Sequence, residues 1–378
     1  NVIYAGTDDG LIQVTEDGGE SWERIEVGSL PDCPDRAFVN DIKADLFDAN
    51  TVYVVLDNHK NGDYRPYLYK STNKGKRWSR IHSNLPEKLL LWRIVQDHKN
   101  KDLLFLASEF GIYASVDCGE RWTKFKSGLP TISFRDLVIQ KGQDDLVAAS
   151  FGRGIYILDD ISALRTINSE TLEKNAVVFP TRDALWYNPR RVLGWGKRAS
   201  QGASYFVADN PAFGASIKYY LKDGFTDKKS ERIKREKAVT KAGKNYEFPG
   251  WAALEEERKE LAPKVWMLIK DGNGDLVRYL PASSKKGMHE VVWDLRYPGT
   301  SAMSKQGYGG GRGFLCEPGT YSAELVSRAN GNLSVLSEPI SFNVVQINEG
   351  SLKGADIKEV ADFWRSIEDA NRHISASR

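Results

Sequence analysis

The sequence predicts an all-β chain in which the C-terminal blades of a β-propeller, an incomplete ring, are followed by an immunoglobulin- or fibronectin-like β-sandwich and a C-terminal helix. Two observations carry this prediction. One eight-residue turn motif occurs three times in the first 122 residues, each time after a short strand pattern of alternating apolar residues. Further strand patterns, separated by Asp-Gly, Asn-Gly and Pro-Gly turns, then extend from residue 176 to 346.

The repeated motif reads Ser or Thr, any residue, Asp or Asn, any residue, Gly, two further residues and Trp. Its copies, which we name the box turns, are Thr15–Trp22, Ser71–Trp78 and Ser115–Trp122. The Asp or Asn side chain can accept hydrogen bonds from the N–H groups of a tight turn, and the Gly supplies a positive φ. The Trp can fold its ring back over the turn. We therefore expect structural roles, with buried Trp rings, for Asp17, Gly19, Trp22, Asn73, Gly75, Trp78, Asp117, Gly119 and Trp122.

The box turns resemble the Asp box, or bacterial-neuraminidase repeat, of sialidases, two-propeller glucanases, sortilin-type receptors and photosystem-assembly propellers. Three later phrases, Gly214–Leu221, Val291–Tyr297 and Glu317–Tyr321, resemble the C-terminal sandwich of large bacterial sortilin-like proteins that are labelled glycosyl hydrolases. The segment Phe151–Asp160 resembles the one that closes their propeller. The resemblance implies an extracellular, cell-surface or periplasmic protein, in which the box itself is scaffold.

The spacing of the box turns defines the repeats of residues 1–160. Their Trp residues are 56 and 44 positions apart, which suits four-stranded blades. Aligned, the repeats give two complete four-strand blades, a first blade without its innermost strand and a last blade without its outermost strand. Because a four-blade ring with both gaps would expose strand edges, we expect the C-terminal part of a longer protein. These blades should then pack against upstream blades or another protein chain.

The rest of the chain is predicted as a linker (161–175), a β-sandwich (176–346) with a charged insertion (223–262), and an amphipathic helix within 347–378. The sandwich strands are expected at Ala176–Phe179, Ser204–Ala208, Ala215–Leu221, Lys264–Ile269, Arg278–Leu280, His289–Leu295, Thr320–Val326 and Ile340–Val345. Eight basic and three acidic residues lie between Asp227 and Lys244. Such a run can bind a phosphate polymer, but a solvated insertion whose charges are answered by nearby Glu residues is favoured.

Composition excludes several classes of function. The chain has 53 basic and 51 acidic residues, and this near-neutral balance gives no reason to expect nucleic acid or an anionic membrane as a partner. No run approaches the roughly 18 apolar residues of a membrane span. Cys33, Cys118 and Cys316 show neither a disulfide framework nor a Cys-x-x-Cys spacing, and the five His residues are far apart. We predict no metal and no cofactor.

The candidate ligand surface is the propeller face opposite the box turns. That face is built from the loops between second and third strands and from the connections between blades, and in propellers it usually hosts the ligand. In the alignment of the repeats, the candidate ligand-binding residues on this face are Asp8, Asp9, Arg93, Glu109 and Arg153. The innermost strands begin with Asp41, Arg93 and Asp136 at equivalent positions.

Asp41 and Asp136 allow two interpretations. A glycosidase needs two carboxylates about 5–10 Å apart, one of them with a raised pKa. The favoured alternative is structural: an Asp that enters an inner strand bonds to the neighbouring blade and locks the ring. Two functions therefore remain open. One is a secreted or cell-surface module that binds a protein, peptide or glycan without catalysis, and the other is a glycoside hydrolase whose active site lies partly in upstream blades.

Overall fold

The structure of the protein is a computed structural model that describes residues 2–189, 210–299, 312–329, 331–347 and 354–376. The chain divides into two units, Asn1–Asn168 and Ser169–Arg378. The strand expected at Ser204–Ala208 lies outside the described residues. Within the described ranges, no helix is both long and apolar enough to cross a lipid bilayer.

The first unit consists of four antiparallel propeller blades, in each of which consecutive strands pair. Blade 1 contains β1 (Ile3–Gly6), β2 (Leu11–Thr15) and β3 (Glu23–Glu26). Blade 2 contains β4 (Phe38–Ala44), β5 (Val52–Asn58), β6 (Asp63–Ser71) and β7 (Ser79–Arg80). Blade 3 contains β8 (Leu91–Gln96), β9 (Leu104–Ser108), β10 (Gly111–Ser115) and β11 (Thr123–Lys124). Blade 4 contains β12 (Phe134–Gln140), β13 (Asp145–Ser150) and β14 (Gly154–Leu158). Short 3-10 helices occupy Val27–Ser29, His59–Asn61 and Ile161–Thr166.

Apolar layers between neighbouring blades form the core of this unit. Every residue of β5 and of β9 is buried, because these strands are covered by a neighbouring blade on both faces. Strand β14 behaves differently. Its Tyr156 packs towards blade 3, whereas Ile155 and Ile157 on the opposite face are 69% and 59% exposed. Within the described unit, blade 4 is therefore covered on one face.

The three box turns share one hydrogen-bond pattern. The Ser or Thr hydroxyl donates to the Asp or Asn side chain, at 2.7 Å in the first turn, 3.0 Å in the second and 2.6 Å in the third. The same hydroxyl accepts from the Gly N–H, at 2.8–2.9 Å. The Asp or Asn oxygen accepts from the N–H four residues later, at 2.8–3.0 Å. Each turn thus closes on its own backbone.

The second and third box turns also press against the preceding blade. A Cβ on Gly75 would lie 2.9 Å from Ile25 Cδ1, and a Cβ on Gly119 would lie 2.8 Å from Ile81 Cδ1, while both glycines have positive φ. Trp122 is 4% exposed and donates its indole N–H to the Ile81 carbonyl at 2.7 Å. The glycine is therefore needed both for its backbone conformation and for the close approach between blades.

The prediction that all three Trp rings are buried is wrong for Trp22. Trp78 is 8% exposed, but Trp22 is 44% exposed and donates only to the Gly19 carbonyl of its own turn, at 3.2 Å. The rings of the second and third turns are covered by an earlier blade. Among the described residues no blade precedes the first, so the Trp22 ring is left uncovered.

We expect Asp117→Ala to lower the free energy of unfolding by about 1–3 kcal/mol, because the Arg121 N–H and the Ser115 hydroxyl lose their acceptor. Urea unfolding measures this change. The matched control is Asp117→Asn, which restores the residue type of the second box turn and should cost less than half as much. Equal losses for the two variants would show that charge, rather than the acceptor oxygen, stabilises the turn.

Residues 161–168, expected to be part of a linker, belong to the first unit. Ile161 is 1% exposed and joins the core of blades 3 and 4. Arg165 binds both Asp97 and Asp144 through paired hydrogen bonds of 2.8 Å. Burial of Asp97 raises the pKa of its carboxyl, but Arg165 and the N–H groups of Asn100 and Lys99 together outweigh burial, and the net shift is downward. Arg165 also lowers the pKa of Asp144.

We expect Arg165→Ala to lower the free energy of unfolding at pH 7 by about 3 kcal/mol, because it leaves the fully buried Asp97 carboxylate without its partner. Since both carboxyl pKa values are depressed in the folded state, their stabilisation is present above the unfolded pKa of about 4 and is lost as the pH falls below it. Urea unfolding between pH 3 and 7 should show a steeper acid loss for the wild type than for Arg165→Ala. Parallel pH profiles would contradict this assignment.

The second unit is a β-sandwich. One sheet contains β15 (Ala176–Val178), β17 (Ala215–Leu221) and β20 (Gly287–Trp293). The other contains, in order, β16 (Ala184–Trp186), β25 (Ile340–Gln346), β23 (Gly319–Ala329), β18 (Lys264–Lys270) and β19 (Leu276–Ala282), with β24 (Asn332–Val335) paired to β23. Strand β21 (Arg296–Pro298) pairs antiparallel with β22 (Arg312–Leu315). Fully buried Ile217, Tyr219 and Trp293 face Met267, Ile269 and Leu325 across the core.

Among the described residues of the second unit, the α-helices are α1 (Ser169–Glu173), α2 (Lys228–Lys241), α3 (Trp251–Lys259) and α4 (Ile357–Ala376). The charged insertion forms α2 and α3, which are joined by a two-bond pairing of Arg232 with Glu257 at 2.7 and 3.0 Å. Part of the positive charge of the insertion is thus paired with acidic side chains of the insertion itself. Helix α4 contacts the sandwich through Ala361, which is buried, and through Arg365, which binds Glu317.

Candidate functional site

The three innermost strands β4, β8 and β12 carry the same irregularity. Their pairing with the second strand of the blade shifts register at one residue, which is Asn40, Trp92 and Arg135 in turn. A β-bulge at this point re-aims the side chains that follow it. Two rows of residues result, one formed by the bulged residues and one by the next positions, Asp41, Arg93 and Asp136.

Asp41, Arg93 and Asp136 form an ion-pair ladder across three blades. Arg93 Nη1 donates to Asp41 Oδ1 at 3.0 Å, and Arg93 Nε donates to Asp136 Oδ1 at 2.8 Å. The second oxygen of Asp41 accepts from the backbone N–H of Ile94 in the neighbouring blade, at 3.0 Å. The Asp41 side chain is 4% exposed, whereas that of Asp136 is 58% exposed. Asp41 thus joins two blades, and Asp136 adds an exposed end.

The bulged residues contribute to a second group, which we name the arginine–aromatic cluster: Trp92, Glu109, Ser133, Arg135 and Phe151. The Arg135 guanidinium lies 3.5 Å from the centre of the Trp92 ring and 5.4 Å from that of Phe151. Glu109 Oε2 accepts from the Trp92 indole N–H at 3.0 Å and from the Ser133 hydroxyl at 2.9 Å. It also lies 3.7 Å from Arg135 Nη2. One carboxylate therefore orients both the ring and the cation stacked on it.

Blade 2 contributes to the edge of this cluster. The His59 ring meets the Trp92 ring edge to face, with centroids 5.9 Å apart. His59 is held in turn by Asp57, whose side chain is 2% exposed. The exposed parts of the cluster are the Phe151 side chain, 72% exposed, and the Arg135 side chain, 43% exposed. Blades 2, 3 and 4 thus combine to present one cation and one aromatic ring to solvent.

The predicted site residues fall into different groups in the structure. Arg93 contacts Asp41 and Asp136, and Glu109 belongs to the arginine–aromatic cluster. The other three candidates lie outside both groups. Asp8 and Asp9 are exposed beside the β1–β2 turn of blade 1, where Asp9 accepts from the Thr7 hydroxyl, and Arg153 is exposed in the β13–β14 turn.

Sequence reasoning missed Trp92, Arg135 and Phe151 as site residues. Trp92 and Arg135 precede the ladder residues Arg93 and Asp136 by one position in aligned strands. An alternating strand would turn them away from the side on which the ladder residues lie. The bulge breaks that alternation, and it is visible only in the strand pairing, so the sequence carried no signal for these residues.

The carboxylates of the ladder and of the arginine–aromatic cluster all accept hydrogen bonds from neighbouring side chains. Both ladder carboxylates accept a hydrogen bond from the Arg93 guanidinium. Glu109 likewise accepts from two donors. In the described part of the chain, no group of three or more His, Cys, Asp or Glu side chains is placed to hold a metal ion.

Comparison with known proteins gives distant similarity only. No family model and no curated protein matches the sequence. Among solved structures, YCF48 bound to D1 peptide is 19% identical with a TM-score of 0.31, over 42% of this chain and 48% of that one. The GH74 xyloglucanase from Xanthomonas campestris is 14% identical with a TM-score of 0.35, over 88% and 43%. The extracellular domain of the hybrid two-component system BT3049 from B. thetaiotaomicron is 10% identical with a TM-score of 0.31, over 91% and 38%. The chain spans less than half the length of each of these structures.

Proposed function

We propose that the chain is part of a secreted or cell-surface protein with Asp-box repeats, of the bacterial sortilin-like kind, whose propeller binds a protein, peptide or glycan without catalysis. The box turns and the sandwich phrases support the kinship. The observation that carries the function is the stacking of Arg135 on Trp92, at 3.5 Å, beside the exposed ring of Phe151. Trp and Arg are the residues in which binding energy concentrates at protein interfaces.

The chemistry of the cluster favours one kind of ligand within that class. An Arg135 guanidinium held by stacking keeps its planar fork available, and such forks bind carboxylates through two hydrogen bonds. The Phe151 ring offers an apolar surface next to it. A peptide or protein segment that carries a carboxylate beside an apolar side chain meets both groups at once. An acidic glycan with an apolar sugar face can also contact the Arg135 guanidinium and the Phe151 ring, but it covers the ring less completely.

The alternative, a glycoside hydrolase, draws its support from the ladder. Arg93 of blade 3 brings Asp41 of blade 2 and Asp136 of blade 4 to one guanidinium, so the two carboxylates lie close together. Against it, both are ion-paired, and Asp41 is also bonded to the backbone of Ile94. The binding function therefore has the stronger support.

Arg135→Ala and Phe151→Ala are each expected to weaken binding at least about tenfold, as the loss of an interface anchor does. Peptides selected from a display library against the wild-type chain, and an array of acidic glycans, are the probes, with affinity read by fluorescence anisotropy. Arg77→Ala and Phe47→Ala, which remove exposed side chains of the same types at the opposite end of the blades, are the matched controls. Equal losses in the controls would move the site away from the cluster.

The same preparation decides between binding and hydrolysis. Incubation with β-glucans and sialosides should release no reducing ends. Release that disappears in Asp136→Asn would establish the hydrolase instead. Asp136 suits this purpose because its exposed side chain makes a folding defect in the variant small.

We further propose that the outer face of blade 4 packs against another blade or a partner chain. The exposed Ile155 and Ile157 side chains support this, as does Val138, which is 57% exposed and lies in line with Ile157 across β13. Sedimentation of the chain alone should show self-association or bound protein, and Ile155→Lys should reduce it, because a charge in an apolar contact is costly. A wild-type chain that sediments as a stable monomer at all concentrations would contradict the proposal.

A further inference from the structure

Cys118 differs from the other two cysteines in its surroundings. It follows Asp117 in the third box turn, adopts a positive φ of 61°, and its backbone N–H donates to the Asp102 carbonyl at 2.9 Å. Cys33 and Cys316 are buried, whereas Cys118 is partly exposed. Burial raises the pKa of the Cys33 thiol to about 11 and that of the Cys316 thiol to about 12, which keeps both in the unreactive thiol form.

The Cys118 sulfur is in contact with an amine of another blade. Lys70, which lies on β6 of blade 2, places its Nζ 3.2 Å from Cys118 Sγ. The Lys70 ammonium also lies 5.6 Å from the centre of the Tyr53 ring, which helps to position it. The two reactive side chains are therefore held together across the boundary between blades 2 and 3.

The remaining neighbours of the sulfur are polar. The Tyr53 hydroxyl lies 3.7 Å from Cys118 Sγ and 3.1 Å from Asp45 Oδ2, and the Lys101 carbonyl oxygen lies 3.8 Å from the sulfur. Burial, and then the contact with Cys118, raises the pKa of Tyr53, so the phenol keeps its proton and can donate. A thiolate at this position thus has the Lys70 ammonium beside it as a hydrogen-bond donor, while the Tyr53 hydroxyl donates its proton to Asp45.

We propose that Cys118 and Lys70 form an oxidant-dependent covalent link between blades 2 and 3. Hydrogen peroxide, or another peroxide, is the oxidant. The Cys118 thiolate attacks one peroxide oxygen, the O–O bond breaks, and a sulfenic acid and hydroxide result. The hydroxide takes one proton from the Lys70 ammonium and becomes water. The resulting neutral amine then attacks the sulfenic sulfur, the S–O bond breaks and an S–N bond forms. The sulfenic hydroxyl leaves with one amine proton as water, so the two residues together lose two hydrogen atoms.

The geometry favours this second step over further oxidation. A sulfenic acid that meets no nucleophile proceeds to sulfinic acid, whereas one beside a nitrogen can condense with it. Lys70 is already in contact with the sulfur, and its flexible side chain can shorten the gap without moving either strand. The link closes a loop between positions 48 residues apart, and it is reversed by thiols, which attack the sulfur and restore the amine.

The test uses the whole chain treated with hydrogen peroxide and then alkylated. Intact mass should decrease by two hydrogen atoms, and a proteolytic digest should contain the Lys70 peptide joined to the Cys118 peptide. Dithiothreitol should separate them. The linked protein should also melt about 5 °C or more above the reduced protein, because the link restricts the unfolded chain.

The variants separate the two steps. Lys70→Arg keeps the positive charge but removes the amine, so Cys118 should stop at a sulfenic acid that dimedone traps, and the joined peptide should disappear. Lys101→Arg is the matched control, because the Lys101 ammonium is held by Asp102 at 2.9 Å, and it should form the link as the wild type does.

Three outcomes would overturn the proposal. They are a Cys118 that reacts no faster than Cys33 or Cys316, a wild-type Cys118 oxidised to sulfinic acid without a joined peptide, and a joined peptide that persists in Lys70→Arg. Circular dichroism of each variant establishes that it is folded before its oxidation is compared.

Discussion

The packing of the second and third box turns against the end of the preceding blade is the constraint on which the first unit depends. Gly75 and Gly119 lie against Ile25 and Ile81 at distances that leave no space for a Cβ. The turn must therefore be short and closed on itself, which the Ser or Thr hydroxyl and the Asp or Asn oxygen achieve. The close approach then aligns β5 and β9 so that both faces of each are buried.

Because the box turns fix how neighbouring blades meet, equivalent residues of the inner strands also meet. The bulges of β4, β8 and β12 occur at the same point, and the residues after them form the Asp41–Arg93–Asp136 ladder. Three side chains of alternating charge at equivalent positions attract each other along the row. The bulged positions are free of that pairing. The residue at the bulged position therefore differs from blade to blade. In blades 3 and 4 these residues are Trp92 and Arg135, and the Arg135 guanidinium stacks on the Trp92 ring.

The fold was largely predictable because its signals are local. A turn motif with its own hydrogen bonds and a strand pattern with a period of two are both legible in short segments, and the structure has both. The exposure of Trp22 was not predictable in this way, since the burial of a box-turn Trp depends on a preceding blade. The parallel pairing of β16 with β25 was not predictable either, because it joins residues about 160 positions apart and no local sequence pattern indicates it.

The candidate site was predictable in part for the same reason. Arg93, Asp41 and Asp136 were found because alignment of the repeats puts them in one row. Arg135 was not found, because the sequence shows only an arginine on a strand. Its membership of the cluster depends on Trp92, Glu109 and Phe151, which come from three other segments. A bulge changes which side of a strand a residue occupies, and that change cannot be read from alternation alone.

The two ends of the blades carry different chemistry for a physical reason. At the box-turn end, the side chains satisfy backbone N–H groups and the space is filled, so a new function there must use atoms already in place. Cys118 is an example, because its sulfur already contacts Lys70 of blade 2. The equivalent residue of the second box turn is Lys74, and it also reaches a neighbouring blade, where it pairs with Glu16. At the opposite end the strands have loops of differing length, and Phe151 and Arg135 remain open to solvent. The proposed covalent link at one end and the proposed ligand site at the other therefore involve different atoms, and both join neighbouring blades.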